Sequence, residues 1–98
     1  MITTKQRSAL KAKAHSLTPV VIIGKEGVTD AVVQSVNDVL EARELIKIRL
    51  LNNCPLSTRE VSAILCEKLQ AEGVQCIGSM VVIYRYSNKK GIEHIEFW

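Results

Sequence analysis

The tetrapeptide Gly24-Lys25-Glu26-Gly27 carries the residue types that can grip a polyanion. Two glycines without Cβ atoms admit a close backbone approach and reach positive φ at little cost. Lys25 places a cation at the tip. A Gly-x-x-Gly loop that feeds a helix is one way in which proteins clamp a run of backbone phosphates. The apolar run Val20-Val21-Ile22-Ile23 leads into the loop and Thr29-Asp30 follows it as a helix start. The spacing therefore predicts strand, tight turn, helix. Asp30 suits the dipole of the helix it opens and competes with any phosphate drawn to that end. Lys25 and the loop N–H groups are left as the main holders.

Other chemistry is thin. Cys54, Cys66 and Cys76 are odd in number and contain no Cys-x-x-Cys. A disulfide framework and a zinc site are both disfavoured, and reduced thiols of a cytosolic chain fit better. The two histidines, His15 and His94, stand in distant segments, without metal-ligand spacing. The 24–27 loop lacks the Gly-Lys-Ser/Thr ending of a nucleotide-hydrolysing phosphate loop. Cys54, in a loop, is the one nucleophile left for a Cys–His pair. Cys66 and Cys76 read as core or near-core thiols. The expectation is a non-enzyme with no catalytic residue, metal ligand, cofactor or small-molecule substrate.

Charge is placed unevenly along the chain. Lys5, Arg7, Lys11, Lys13 and Lys25 fall in residues 1–25 with no acid among them, although the whole chain has a formal net charge of only +3. A polyanion would meet this segment first, in a salt-dependent contact. The start is polar and charged from Thr3 on, without a signal-peptide pattern, and no apolar run reaches the length of a membrane span. A cytoplasmic protein with no membrane partner is expected.

The elements that must position these residues are legible as periodicities. Residues 3–17 predict an amphipathic helix capped by Thr3 or Thr4, with Leu10, Ala14 and Leu17 as its buried stripe. Arg7 and Lys11 stand beside that stripe, Lys5 and Lys13 on its other flank, and His15 away from it. Pro19 ends the helical stretch. Residues 20–23 lack alternation and predict a buried strand. A second helix follows over 30–42 with Val32, Val36, Val39 and Leu40 on one face. Residues 45–51 alternate, with Ile46, Ile48 and Leu50 against Lys47 and Arg49, as a half-buried strand does. Ser57-Thr58-Arg59-Glu60 is a capping box. It opens a third helix running to about Ala71, with Val61, Ile64, Leu65 and Leu69 inward and Gly73 in the place of a left-handed C-cap. Residues 74–77 and 80–86 predict two strands joined by Gly78-Ser79. Residues 87–98 predict a variable tail or one more strand. The sum is one α+β domain over 1–98, in the order α-β-α-β-α-β-β, with a mixed sheet and three helices. Two β-α-β units favour parallel neighbours.

Placed in this order, the segments resemble the YhbY family, whose domain is also called CRM. They are Lys5-Gln6-Arg7, Ala14-His15, Leu17-Thr18-Pro19, Ile23-Gly24-Lys25-Glu26-Gly27-Val28-Thr29, Leu40-Glu41-Ala42-Arg43-Glu44-Leu45-Ile46-Lys47-Ile48, Val74-Gln75-Cys76-Ile77-Gly78 and Val82-Ile83-Tyr84-Arg85. The resemblance spans from Thr4 to about Tyr86. It implies an open four-stranded mixed sheet packed with three helices, similar to the C-terminal domain of a bacterial translation initiation factor. It implies RNA binding without catalysis. Stand-alone bacterial members associate with precursors of the large ribosomal subunit, so ribosomal RNA is the implied partner. Thr18 and Ser79 are uncharged where members often carry a basic residue. The candidate contacts are Gly24, Lys25, Glu26 and Gly27, with Arg7, Lys11, Lys13 and His15. Lys47 and Arg49 join them provided that their strand face is open rather than salt-bridged. The competing expectation is a protein-interaction module of ribosome-associated complexes, using an exposed sheet face with Tyr84, Tyr86 and Trp98.

Overall fold

A computed structural model describes residues 2–92, 94 and 95. The elements are α1 (Thr4–Ala14), β1 (Val21–Ile23), α2 (Asp30–Arg43), β2 (Leu45–Leu50), α3 (Thr58–Leu69), β3 (Glu72–Ile77) and β4 (Met80–Tyr84). Each helix begins where a hydroxyl can satisfy a free N–H group. Thr3 with Gln6 and Ser57 with Glu60 form capping boxes, and the Thr29 hydroxyl accepts from the Val32 N–H. α1 stops at Ala14, short of the expected 17, because the chain must turn before Pro19; Leu17 still packs where the stripe placed it.

The four strands form one mixed sheet in the order β1-β2-β4-β3. β1 runs parallel to β2, and β4 is antiparallel to both β2 and β3. The second β-α-β unit therefore gives strands of like direction that are not neighbours, since β4 lies between them. The sheet separates two apolar layers. On one face Val36 and Leu40 of α2 and Val61 and Leu65 of α3 meet Ile46, Ile48, Leu50, Val81 and Ile83. On the other, Leu10 and Ala14 of α1 meet Leu45, Val74, Val82 and Tyr84. Leu10 is fully buried, and truncating such a side chain to alanine costs roughly 2–5 kcal/mol.

Several local expectations are corrected. β1 does alternate. It is an edge strand, and α1 covers only the far end of its sheet face, so Ile22 is 58% exposed between buried Val21 and Ile23. α3 ends at Leu69, and the left-handed cap is Gln70 (φ 56°), not Gly73. Gly73 lies inside β3, where a Cβ would come within 3.3 Å of Ser62 Oγ, so its role is close packing of α3 on the strand. Cys76 is exposed rather than near-core. β4 ends at Tyr84, two residues early. No strand is formed by the described residues that follow it. Phe97 and Trp98, and with them part of the expected last strand, lie outside the described residues.

That C-terminal segment is held by Glu44. This residue caps α2 at φ 66° and is fully buried. Its carboxylate accepts from Ser87 N–H (2.7 Å), Ile95 N–H (2.8 Å) and His94 Nδ1 (2.7 Å). Its carbonyl accepts from the Arg85 N–H, and the Ser87 hydroxyl donates to Glu41 O at 2.6 Å. Arg85 donates to Leu69 O and pairs with Glu41, which ties the ends of α2, α3 and β4 together.

Candidate nucleic-acid interface

The 24–27 loop leaves β1 as a tight turn closed by the Gly27 N–H donating to Gly24 O at 3.0 Å. Only Gly27 has positive φ, at 69°. Gly24 does not, and a Cβ there would make ordinary contacts with Leu51 Cδ1 (3.5 Å) and Asn53 Oδ1 (3.7 Å). The loop rests on the segment after β2. Leu51 N–H donates to Ile23 O, and Pro55 and Leu56 lie under Gly27. Lys25 and Glu26 point outward from this platform and are exposed. The adjoining end of α2 is already used by its own chain: the Thr29 hydroxyl takes one N–H, and Asp30 adds a negative charge. A phosphate here would be met by the loop and Lys25 more than by the helix end.

α1 contributes a second basic surface, and it packs on the sheet face that carries Lys47 and Arg49. Lys5, Lys11 and Lys13 are exposed. Arg7 is half-buried, and its Nε donates to Gly73 O at 3.0 Å on the outer edge of β3. Part of its donor set is thus spent holding α1 to the sheet. His15 caps α1 with its backbone N–H to Lys11 O, and its side chain faces solvent. Lys11 lines an open groove of about 420 Å³ together with Arg59, Ser62 and the edge of β3. Arg59 was not among the sequence candidates. Its position within a capping box explained it locally, and nothing local relates it to α1.

Arg49 is exposed and Lys47 half-buried. Among the described residues neither has a salt bridge. The face is open at Arg49 and partly covered at Lys47, whose neighbour Val82 is buried in the α1 cluster. The register sets the spatial relation of the parts. Leu45 and Tyr84 mark the end of the sheet that α1 covers; Leu50, Ile23 and the loop mark the other. Lys47 and Arg49 lie between them. The helix and the loop are therefore not side by side, but flank opposite ends of one basic strip.

Burial pushes the Cys66 thiol up, against a weak contact with Ser62 that lowers it, and a protonated thiol is a poor nucleophile. Cys54 is half-buried and packs against the core with Leu56. Among the described residues no three His, Cys, Asp or Glu side chains converge as metal ligands, and no helix is long and apolar enough to cross a membrane. Tyr84 is buried, and Tyr86 is 57% exposed with its ring stacked on His94 at 4.2 Å.

Comparison with known proteins gives a consistent result. Residues 2–85 match the CRS1 / YhbY (CRM) domain. The chain is 40% identical over 89 residues to the Bacillus subtilis "Probable RNA-binding protein YqeI", covering 91% of this chain and 93% of that one. It is 33% identical over 92 residues to a Haemophilus influenzae "RNA-binding protein", covering 94% and 93%. The solution structure of the hypothetical protein SAV1595 from Staphylococcus aureus matches with a TM-score of 0.78 at 41% identity, over 95% of this chain and 98% of that one. The three helices and four-stranded mixed sheet are shared with that fold.

Proposed function

The chain belongs to the CRS1/YhbY (CRM) domain family, and on that footing we propose that it is a non-catalytic RNA-binding protein of the cytoplasm. Its partner in this reading is ribosomal RNA in the precursor of the large ribosomal subunit. The observation that carries it is the basic strip. Lys47 and Arg49 are free of salt bridges among the described residues, on the sheet face flanked at one end by α1, which contains no acid. The exposed Lys25 loop stands at the other end. Cations left unpaired over such a length suit a phosphate backbone, whose neutralisation releases counterions. The names of the relatives support RNA as the ligand, and the resemblance to stand-alone bacterial members points to the large-subunit precursor.

Gly27, at positive φ, lets the loop turn tightly, Lys25 and the loop N–H groups meet phosphate, and Lys11, Lys13, Lys47 and Arg49 extend the contact. Glu26, exposed at the tip, and His15, at the end of α1, border it. A gel-shift titration on precursor large-subunit RNA over a range of salt concentrations tests this. The double substitution Lys11→Ala/Lys25→Ala should weaken binding roughly tenfold and reduce the salt slope by about two. An unchanged affinity and slope would overturn the assignment. Ribosome-associated protein that stays with protein partners after RNase digestion would favour the protein-interaction reading.

A further inference from the structure

The sheet pairs four residues in one row across all its strands. Ile22 of β1 faces Arg49 of β2, Arg49 faces Met80 of β4, and Met80 faces Ile77 of β3. Residues in register share a face, here the face on which α1 packs. The row lies beyond the part that α1 covers, whose cluster is Leu45, Val74, Val82 and Tyr84. Ile22 is 58% and Ile77 57% exposed; Arg49 is exposed and Met80 half-buried. Two bare isoleucines, a methionine and a guanidinium with no salt bridge among the described residues form one strip about 14 Å long, from strand spacings of roughly 4.8 Å.

Charge decides what fits it. Glu72 is the only acid in the four strands; it lies at the opposite end and accepts from the Ile2 N–H at 3.0 Å. A second copy docked about a two-fold axis on the row would set Arg49 against Arg49 with no acid to offset the pair. The matching partner is flat and apolar on its faces and negatively charged along its edge, which describes a nucleotide with its base unpaired. Bases in a duplex do not offer those faces; bases in a single strand do. An Arg guanidinium can stack on a base or pair with its phosphate, and the aliphatic side chains lose exposed area beneath the neighbouring bases.

The row also adjoins the loop. Ile22 stands two residues ahead of Gly24, and the Leu50 N–H donates to Ser79 O in the β3–β4 turn at the same end of the sheet. We infer that Ile22, Arg49, Met80 and Ile77 seat about two or three unpaired nucleotides that continue from RNA held at the 24–27 loop. This rests on the RNA-binding reading above, and it makes the ligand a junction between structured and single-stranded RNA.

The test uses a blunt RNA hairpin and the same hairpin with a short uridine tail, placed at the 5′ end or the 3′ end. One of the two tails should raise wild-type affinity roughly tenfold. Ile22→Ser/Ile77→Ser should abolish that gain and keep the affinity for the blunt hairpin within about twofold, because both side chains are exposed. Arg49→Glu is the second variant, and it should also abolish the gain. Lys25→Ala should weaken both hairpins alike and preserve the gain. No preference for either tail, or a preference that survives Ile22→Ser/Ile77→Ser, overturns the inference while leaving the RNA-binding reading intact. A wild-type dimer that this double variant dissociates assigns the row to a second copy, and also overturns it. Failure of the wild type to bind any of these RNAs sinks the RNA reading itself.

Discussion

His94 Nδ1 lies 2.7 Å from Glu44 Oε2, so a residue near the C-terminus closes over a buried carboxylate at the end of α2. A carboxylate only accepts, so Nδ1 carries the proton. Burial raises the Glu44 pKa. The N–H groups of Ser87 and Ile95, together with the hydrogen bond and charge of His94, outweigh that effect and hold the group below the usual carboxylate range. Ser87 and Ile95 are 43 and 51 residues away in sequence. One side chain thus fixes a segment whose described residues form no helix or strand.

Glu44→Gln should therefore destabilise the protein by roughly 1–3 kcal/mol, because an amide cannot accept from three donors and leaves buried N–H groups unmatched. Urea unfolding at neutral pH measures the loss, and hydrogen exchange at Ser87 and Ile95 should quicken with it. The pH dependence has a definite sign. A carboxylate with a lower pKa folded than unfolded contributes stability in full above its unfolded pKa, and loses it as pH falls through the folded value. The wild type should lose urea resistance in acid more steeply than Glu44→Gln, and the two curves should converge. Parallel curves would show that Glu44 carries no such linkage.

The features legible in the sequence are those that one or two turns of chain decide. Leu10 and Ala14 at helical spacing, the alternation of Ile46, Ile48 and Leu50, and the caps at Thr3, Thr29 and Ser57 all depend on neighbours. The misread features depend on residues far away. Ile22 looked buried because its apolar run is continuous, yet whether a helix covers an edge strand is settled by the placement of α1. Gly73 looked like a cap by position, while its true constraint is Ser62 on α3. In the candidate site the 24–27 loop and the basic α1 could be read directly. The attachment of Arg7 to Gly73, 66 residues on, could not. Neither could the insertion of β4 between β2 and β3, which creates the row from Ile22 to Ile77.

The two loop glycines should separate stability from binding. Gly27 at φ 69° is in a region that costs a residue with a Cβ about 1–2 kcal/mol. Gly27→Ala should lower the urea midpoint accordingly. Gly24 has no such angle, and its added methyl meets only ordinary contacts, so Gly24→Ala should change stability by less than about 0.5 kcal/mol. A loss of RNA affinity in Gly24→Ala would then report on backbone approach at the loop. If Gly24→Ala unfolded as readily as Gly27→Ala, the distinction would fail.

Arg7 and Lys11 stand one turn apart on α1 and should behave differently. Arg7 Nε serves the Gly73 carbonyl on the β3 edge. Its removal strips that acceptor of its partner and should cost about 1 kcal/mol in unfolding free energy. Lys11 is exposed and lines a groove, so Lys11→Ala should leave stability unchanged and reduce the salt slope of RNA binding by about one. Thermal melts beside salt-dependent gel shifts resolve the two effects. Equal melting temperatures for both variants would remove Arg7 from its structural role.

Lys47 and Arg49 offer a comparison of the same kind on a strand. Both face the α1 side of β2, but Arg49 pairs with Met80 in the open part of the sheet, while Lys47 pairs with Val82, which is buried in the α1 cluster. The stem of Lys47 therefore covers apolar surface, and its charge reaches solvent only at the tip. Arg49→Ala should reduce the salt slope by about one with a stability change under about 0.5 kcal/mol. Lys47→Ala should reduce the slope by a similar amount and also lower stability, because the packed stem goes with the charge. Lys47→Met separates the two parts: it keeps a stem of similar length without the cation, so it should restore stability and leave binding weak. If Lys47→Met restored RNA binding as well, the strand would contribute packing rather than charge, and the basic strip would end at Arg49.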